Sequence, residues 1–281
     1  MKLAIISKSS SPNTQDLLRV CGERAIGCTV YQAATITIDT KSIENDPFYS
    51  HDVYLFRGYN STYHQAQSLA QYLMSLGKIV IDEQLAKGFV PSKLHEAMVY
   101  TSQNIPHPRT YYFRDGSDER ISGIELPVVV KDVDSQRGKG VRLCATLDDL
   151  RQEIDQNGKS VIVQQFIQLS YDLRVICVGD TVVGAIRRSV VDGDFRTNVS
   201  LGAKAEPYAL SRDEAALALR AHVAMAYDIS GVDIAYDTNG QPFILETNIT
   251  PEWQGFKSAT GIDVAAIVID YAERRYNDES K

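Results

Sequence analysis

The 281-residue sequence is poor in several features that would assign it quickly. It has four cysteines, Cys21, Cys28, Cys144 and Cys177, scattered and without a C-x-x-C pair. That pattern argues against a thiolate metal centre and reads as reduced thiols in a cytosolic protein. Its five histidines (His51, His64, His95, His107 and His222) show no H-x-x-x-H spacing, so they read as surface or satisfied core residues rather than metal ligands. No apolar stretch approaches the roughly 18 residues of a membrane-spanning helix. The opening run Met1–Ser7 is too short for a signal-peptide core, and polar residues follow at once. Runs of basic residues are missing too, and the net charge is −7, which excludes nucleic acid and anionic membrane as expected partners. There is no G-x-G-x-x-G turn after the first apolar run, so a dinucleotide site is not expected. Internal repeats and low-complexity segments are also lacking.

What is present suits an ordinary water-soluble domain pair: 44% hydrophobic and 23% charged residues. The first part alternates strand and helix. Lys2–Ser7, Asp52–Arg57 and Lys78–Asp82 are short apolar runs, and Thr14–Ile26 and Tyr63–Leu76 have helical composition, the latter closed by Gly77. This order predicts a small parallel sheet over residues 1–87. Residues 88–281 change character. A helix is expected over Ser92–Gln103, then a buried-type strand, Leu126–Lys131, ending on a lysine. A glycine turn, Arg137-Gly138-Lys139-Gly140, leads to the strand Arg142–Cys144, and Val161–Ile167 is a further strand. Leu173–Val178 and Thr181–Ile186 read as a hairpin turned at Gly179-Asp180. Ser211-Arg-Asp-Glu214 is a capping box opening an alanine-rich helix to about Tyr227.

The most informative stretch is Gly231–Asn248. Val232–Tyr236 alternates as a strand, Asn239-Gly240 is a strong hairpin signal, and Phe243–Asn248 returns. With Asn239-Gly240 as a two-residue loop, Asp233 falls opposite Glu246, and Asn248 lies two residues on, on the same face. Val232, Ile234, Tyr236, Phe243 and Leu245 then form the core face. Two facing carboxylates repel unless a cation or proton lies between them. Oxygen donors of this kind favour Mg²⁺ or Mn²⁺ over zinc. A second group is cationic. Lys131 ends an apolar strand, where an ammonium needs an anionic partner. The Arg137–Gly140 loop offers backbone N–H groups and charge to a phosphate. Arg188 and Arg196 follow. A cationic cluster upstream of a carboxylate hairpin is what a nucleoside triphosphate requires.

From Ser92 to the C-terminus the chain resembles the RimK-like branch of the ATP-grasp superfamily. The matching pieces stand in family order. They begin with Pro91-Ser-Lys93-Leu, Val-Val-Val-Lys131 and Arg137-Gly-Lys-Gly140-Val, and continue with Gln164-Gln165-Phe166-Ile167, Asp172-Leu-Arg174 and Gly193-Asp-Phe-Arg196-Thr-Asn198. Gly231-Val-Asp233, Leu-Glu246-Thr-Asn248 and Ala259-Thr-Gly261-Ile-Asp263 complete the set. The resemblance implies an α/β and α+β fold: a Rossmann-like pre-ATP-grasp domain over 1–87, then a two-lobed ATP-grasp domain over 88–281. Its small nucleotide-covering lobe would span about 110–168, and its metal-binding lobe about 169–281.

The resemblance also implies roles. Lys93 and Lys131 would touch ATP phosphates or the N7 side of adenine, and the Arg137, Gly138, Lys139, Gly140 loop would close over the γ-phosphate. Gln165, Phe166 and Ile167 would line the adenine slot, and Asp172 would sit near the ribose. Arg196 would stabilise the transferring phosphoryl group, Arg188 would face the carboxylate or acyl phosphate, and Asp233, Glu246 and Asn248 would hold Mg²⁺ or Mn²⁺. The implied activity is ATP-dependent amide formation between a carboxylate and an amine, through an acyl phosphate. Partners would be ATP, a carboxylate, and an amino acid, peptide or carrier-protein tail, in a cytoplasmic enzyme open to homo-oligomerisation. Two departures stand out. Gln165 replaces a residue often acidic in the family, and Thr250-Pro251-Glu252-Trp253 replaces S-P-G, which predicts that Glu252 and Trp253 shape the acceptor pocket. The rival from another class is a nucleotide-binding scaffold that has lost the chemistry. A carboxylase-type enzyme of the same fold is a further alternative, but no biotin-linked or larger accessory domain is visible.

Overall fold

The computed structural model describes residues 1–8, 10–39, 46–59, 62–88, 92–132, 141–156, 161–189 and 205–279. The expected loop Arg137–Gly140, and Arg196 with its neighbours, lie outside the described residues.

Three sheets follow one another along the chain. The first is parallel, in the order β2-β1-β3-β4, from Gly27–Gln32, Lys2–Ser7, Val53–Arg57 and Ile79–Ile81. Helices α1 (Pro12–Glu23) and α2 (Tyr63–Ser75) supply crossovers. The sequence starts α1 cleanly: Ser11 caps it, accepting from Thr14 N at 3.2 Å, and Pro12 occupies its first turn. Both faces of β1 and β3 are buried, as expected of a parallel sheet covered on two sides.

The second sheet is antiparallel, in the order β5-β8-β6-β7, from Thr110–Phe113, Val161–Gln165, Val128–Asp132 and Val141–Cys144. Helix α4 (Leu147–Gln156) packs Leu150 and Ile154 onto it. The third is antiparallel as well, in the order β11-β10-β9-β12-β13, from Ala205–Tyr208, Thr181–Ser189, Tyr171–Val178, Ile229–Tyr236 and Pro242–Asn248. Around it stand α5 (Arg212–Ala224), α6 (Gln254–Thr260) and α7 (Val264–Glu279), while α3 (Lys93–Ser102) leads from the first sheet to the second. The Ser211–Glu214 capping box forms as its sequence predicts.

The cores show which sheets share their burial. Ala4, Ile6, Tyr54 and Phe56 share a cluster with Leu173, Val175, Val232 and Ile234. On the opposite side, Leu3, Ile5, Val53 and Leu55 share one with Ile176, Val178, Trp253 and Val268. The first and third sheets are thus welded by common apolar burial. The second sheet has its own small core of Phe113, Val128, Val130, Val161 and Val163.

Candidate active site

The β12–β13 hairpin positions the carboxylates. Asp233 pairs directly with Glu246, and Gly231 with Asn248. All three oxygen-bearing side chains therefore rise from one face of the sheet. The route to that register differs from the sequence expectation. Asp237 N donates to Gln241 O, Gly240 N to Asp237 O, and the Asp237 carboxylate accepts from Asn239 N and Gln241 N. The loop therefore has three residues, Thr238-Asn239-Gly240, with Gly240 at φ +76, where a side chain would be strained. The extra residue shifts the pairing by one, so Ile244 faces Ile234 and takes the core place expected for Phe243 and Leu245. A bulge at Leu245 restores the register before Glu246.

Asp233 is buried and is gripped by two arginines. Arg174 Nε bonds one carboxylate oxygen, Arg174 Nη2 meets the other at 2.9 Å, and Arg188 Nη2 lies 3.0 Å from the latter. Burial alone would raise the Asp233 pKa, but Arg174 and Arg188 outweigh it and hold it below the usual range. Arg174 also reaches to 3.9 Å from Glu246, whose side chain is 44% exposed. The positive charge that two facing carboxylates demand is thus supplied here by Arg174. The donor set still fits a hard divalent ion, being two carboxylates and the Asn248 amide. For Asp233 to join it, Arg174 must yield an oxygen. Asn248 Oδ1 meanwhile accepts from Thr250 N at 3.2 Å, which shapes the chain leaving the strand.

Two of the expected site residues pair with each other. Arg188 and Asp172 sit directly opposite each other on β10 and β9. Arg188 Nε donates to Asp172 at 2.8 Å and Nη2 at 2.5 Å, with both residues almost fully buried. Burial would lower the Arg188 pKa, yet Asp233 and Asp172 together hold it above its ordinary value. Asp172 and Arg188 are thus enclosed together in an ion cluster with Asp233. Sixteen residues separate Asp172 and Arg188 in sequence, and only the hairpin register reveals the pair.

The cationic side of the site is a cleft between α3, the second sheet and β13. Lys93, Lys131 and Glu246 line it together, with Gln164, Ile244 and Leu245. Lys131 Nζ donates to Gln164 Oε1 at 2.5 Å, and Gln164 is held in turn by Thr110 Oγ1 at 3.0 Å. Enclosure lowers the Lys131 pKa, opposed by the Glu246 carboxylate, and Lys93 adds to the lowering. Lys93 and Lys131 share this lining with two carboxylates, Glu96 and Glu246.

Gln165 points elsewhere. It is exposed and lines a neighbouring depression with Leu94, Met98 and Arg109. Its N–H donates to Arg109 O at 2.9 Å, and Phe166 N to Pro127 O at 3.3 Å. Any backbone reading of adenine by this segment must therefore use its other atoms. Ile167 is buried.

Glu96 was missed by the sequence reading. It stands one turn after Lys93 on α3, which Ser92 caps by accepting from His95 N at 3.1 Å. Its Oε1 accepts from Thr247 N and, at 2.7 Å, from Tyr100 Oη. Tyr100 Oη also meets Thr247 Oγ1 at 2.6 Å. Helix α3 is thereby fastened to the strand between Glu246 and Asn248. Burial, and then the Glu246 carboxylate, push Glu96 up to about 7. A Glu three residues after a helix lysine is too common to flag in a sequence; its partner lies 151 residues away.

Glycine is required at 231 for close approach. A Cβ there would stand 3.0 Å from both Arg174 Cδ and Pro251 Cβ.

Comparison with known proteins places this geometry. The model of the RimK-like ATP-grasp domain matches residues 92–272. A probable alpha-L-glutamate ligase of Rhodopirellula baltica is 31% identical over 96% of this chain and 70% of its own length. The ribosomal protein bS6–L-glutamate ligase of Escherichia coli is 32% identical over 78% of this chain and 75% of its own. Among solved structures, the ATP-grasp ligase PsnB with a minimal precursor superposes with a TM-score of 0.75 at 16% identity, over 98% of this chain and 99% of that one. The lysine cleft facing a carboxylate hairpin, the ordered motifs and these matches converge: the chain belongs to the RimK-like ATP-grasp family of ATP-dependent carboxylate–amine ligases.

Proposed function

We propose that the chain activates a substrate carboxylate with Mg²⁺–ATP and joins it to the amine of an amino acid, with the site assigned as follows. The observation that carries this reading is the single cleft in which Lys93, Lys131 and Glu246 converge. Lys93 and Lys131 bind the phosphates, spreading the charge that moves as the γ-phosphoryl group passes to the carboxylate. Arg196 and the Arg137–Gly140 loop join them from outside the described residues. Glu246 and Asn248, with Asp233 once Arg174 yields, hold Mg²⁺, which when bound supplies charge neutralisation at the phosphate oxygens. Arg188 and Asp172 keep Asp233 aimed. Glu96 and Tyr100 fix β13 so that the metal ligands and the lysines keep their spacing. The amine then displaces phosphate from the acyl phosphate. Residues 1–87 form the acceptor-facing unit and 88–281 the ATP-grasp unit.

Relatives named for L-glutamate ligation make L-glutamate the first amine to test. A glutamate-terminated acidic peptide is the first carboxylate. ADP release that needs ATP, Mg²⁺, amine and carboxylate together supports the reading. Release without any acceptor, or none with a pool of the twenty amino acids, contradicts it.

A further inference from the structure

Three neighbouring strands of the first sheet, β1, β3 and β4, end on or run directly into buried polar residues. Ser7 closes β1, Arg57 closes β3, and Asp82 follows β4. They are only 4%, 6% and 0% exposed. Ser7 and Arg57 are register partners across the β1–β3 pair, and in the order β2-β1-β3-β4 the chain departs to opposite sides of β1. In open parallel sheets the carboxyl edge at such a switch point is where ligands bind. Asp82 has φ +70, a left-handed conformation uncommon for a residue with a side chain.

Ser7 meets Thr14 Oγ1 at 3.3 Å, but other groups at this edge have no hydrogen-bond partner among the described residues. Arg57 uses Nη2 to donate to Pro251 O at 2.9 Å, and its guanidinium lies 4.8 Å over the Trp253 ring. Its Nη1 has no acceptor among the described residues, and neither Tyr59 Oη nor either polar atom of the Gln84 amide has a partner there. Tyr59 is fully buried and within electrostatic reach of Arg57 and Asp82. Buried polar groups are costly to leave unmatched, so three such side chains at or just past the ends of β3 and β4 point to a ligand. Asp82 lies within electrostatic reach of Arg57, yet neither of its carboxylate oxygens has a hydrogen-bond partner among the described residues, so it leaves Arg57 Nη1 unbonded.

The position ties this edge to the chemistry. Pro251, whose carbonyl Arg57 holds, packs against the same Gly231 that Arg174 packs against. Arg174 in turn holds Asp233 and approaches Glu246. One residue of the strap thus separates the unpartnered guanidinium nitrogen from the carboxylate hairpin. The strap is fastened a second time by Asn13 Nδ2, which donates to Glu252 at 2.9 Å.

We propose that Arg57 and Tyr59 bind the α-carboxylate of the amino acid whose amine is joined, under the Pro251–Trp253 strap and beside the carboxylate hairpin. This rests on the ligase reading above. Arg57 Nη1 and Tyr59 Oη donate to the carboxylate, and Gln84 adds a polar contact. An amino acid without a free carboxylate lacks the anchor.

The test uses the full chain with ATP, Mg²⁺, a glutamate-terminated acidic peptide, and an equimolar pool of the twenty amino acids or of their methyl esters. The variants are Arg57→Lys and the nearly isosteric Tyr59→Phe. Both should raise the half-saturating pool concentration about tenfold, as loss of one charge-assisted hydrogen bond does, and leave half-saturating ATP unchanged. The esters should turn over no better with wild type than with Arg57→Lys. Stabilisation by Mg²⁺–ADP shows that each variant is folded; should Arg57→Lys fail it, Tyr59→Phe alone decides. Half-saturation within twofold of wild type in the folded variants, or esters used as well as acids, overturns the assignment. If wild type releases no ADP, the ligase reading fails separately. The site is then judged by the melting temperature: a rise with the acids that the esters and Tyr59→Phe do not show upholds it, and no such difference overturns it.

Discussion

Replacing Glu96 by glutamine keeps the oxygen that accepts from Thr247 N and Tyr100 Oη and removes the charge beside Glu246. The size of the effect follows from linkage. The Glu96 carboxyl rises from its ordinary 4.5 to about 7 on folding. A raised acid binds its proton more tightly in the folded state, so its contribution favours folding below pH 4.5 and is lost as pH climbs through 7. The interval corresponds to roughly 3 kcal/mol as an upper figure, since each pKa unit is about 1.4 kcal/mol, and the residue is only part-buried. Glu96→Gln should therefore match wild type near pH 4.5, gain on it through pH 7, and keep a constant lead above pH 8. Glu96→Ala removes the acceptor as well. Tyr100 can still turn to Thr247 Oγ1, but Thr247 N is orphaned at about 1–3 kcal/mol, so alanine should be clearly worse than wild type at pH 5 and close to it at pH 8. Urea unfolding in EDTA, without nucleotide, at pH 5, 6, 7 and 8 measures both. A Gln-to-wild-type difference that does not change between pH 5 and pH 8 would refute the placement of Glu96.

Two further outcomes follow from the same geometry. Gly231→Ala forces Arg174 or Pro251 to move by a few tenths of an ångström; it should cost about 1–3 kcal/mol in urea unfolding, as overpacking does, and lower the ADP-release rate, whereas a wild-type rate would mean that the Arg174–Pro251 contact does not matter. Glu252→Gly removes one of the strap's bonds to Asn13 and should change which amines are used while leaving ATP half-saturation within about twofold; a large loss of ATP affinity with unchanged amine preference would remove Glu252 from the acceptor side.

Much of this fold was legible because its signals are local. Alternation in Val232–Tyr236, the Asn239-Gly240 turn and the Ser211–Glu214 box each depend on residues close in sequence, and each forms its element. The hairpin brought Asp233 opposite Glu246 as expected, but through two compensating shifts, a three-residue loop and the Leu245 bulge. The alternation therefore named the wrong core residues, Phe243 and Leu245 in place of Ile244. Strands β5 and β11 were not read because they are short, and β2, as long as β1, because it lacks a clean apolar period. The polar partners were illegible for a different reason. Asp172 and Arg188 were seen as separate ligand contacts because only strand register shows that they neutralise each other. Glu96 and Arg57 looked like ordinary charged residues, since what singles them out is burial against Thr247 and Pro251, far along the chain.

The account's central claim is that the carboxylates of one hairpin face serve the phosphates held by Lys93 and Lys131. Glu246→Gln tests it most directly, because Glu246 is half exposed, lies in the lysine cleft and carries little of the core. The measurement is ADP release under saturating ATP, Mg²⁺, amine and carboxylate, beside a melting curve with and without Mg²⁺–ADP. The account predicts an unliganded melting temperature close to that of wild type, weakened stabilisation by Mg²⁺–ADP, and no ADP release above background. Release at the wild-type rate would contradict it.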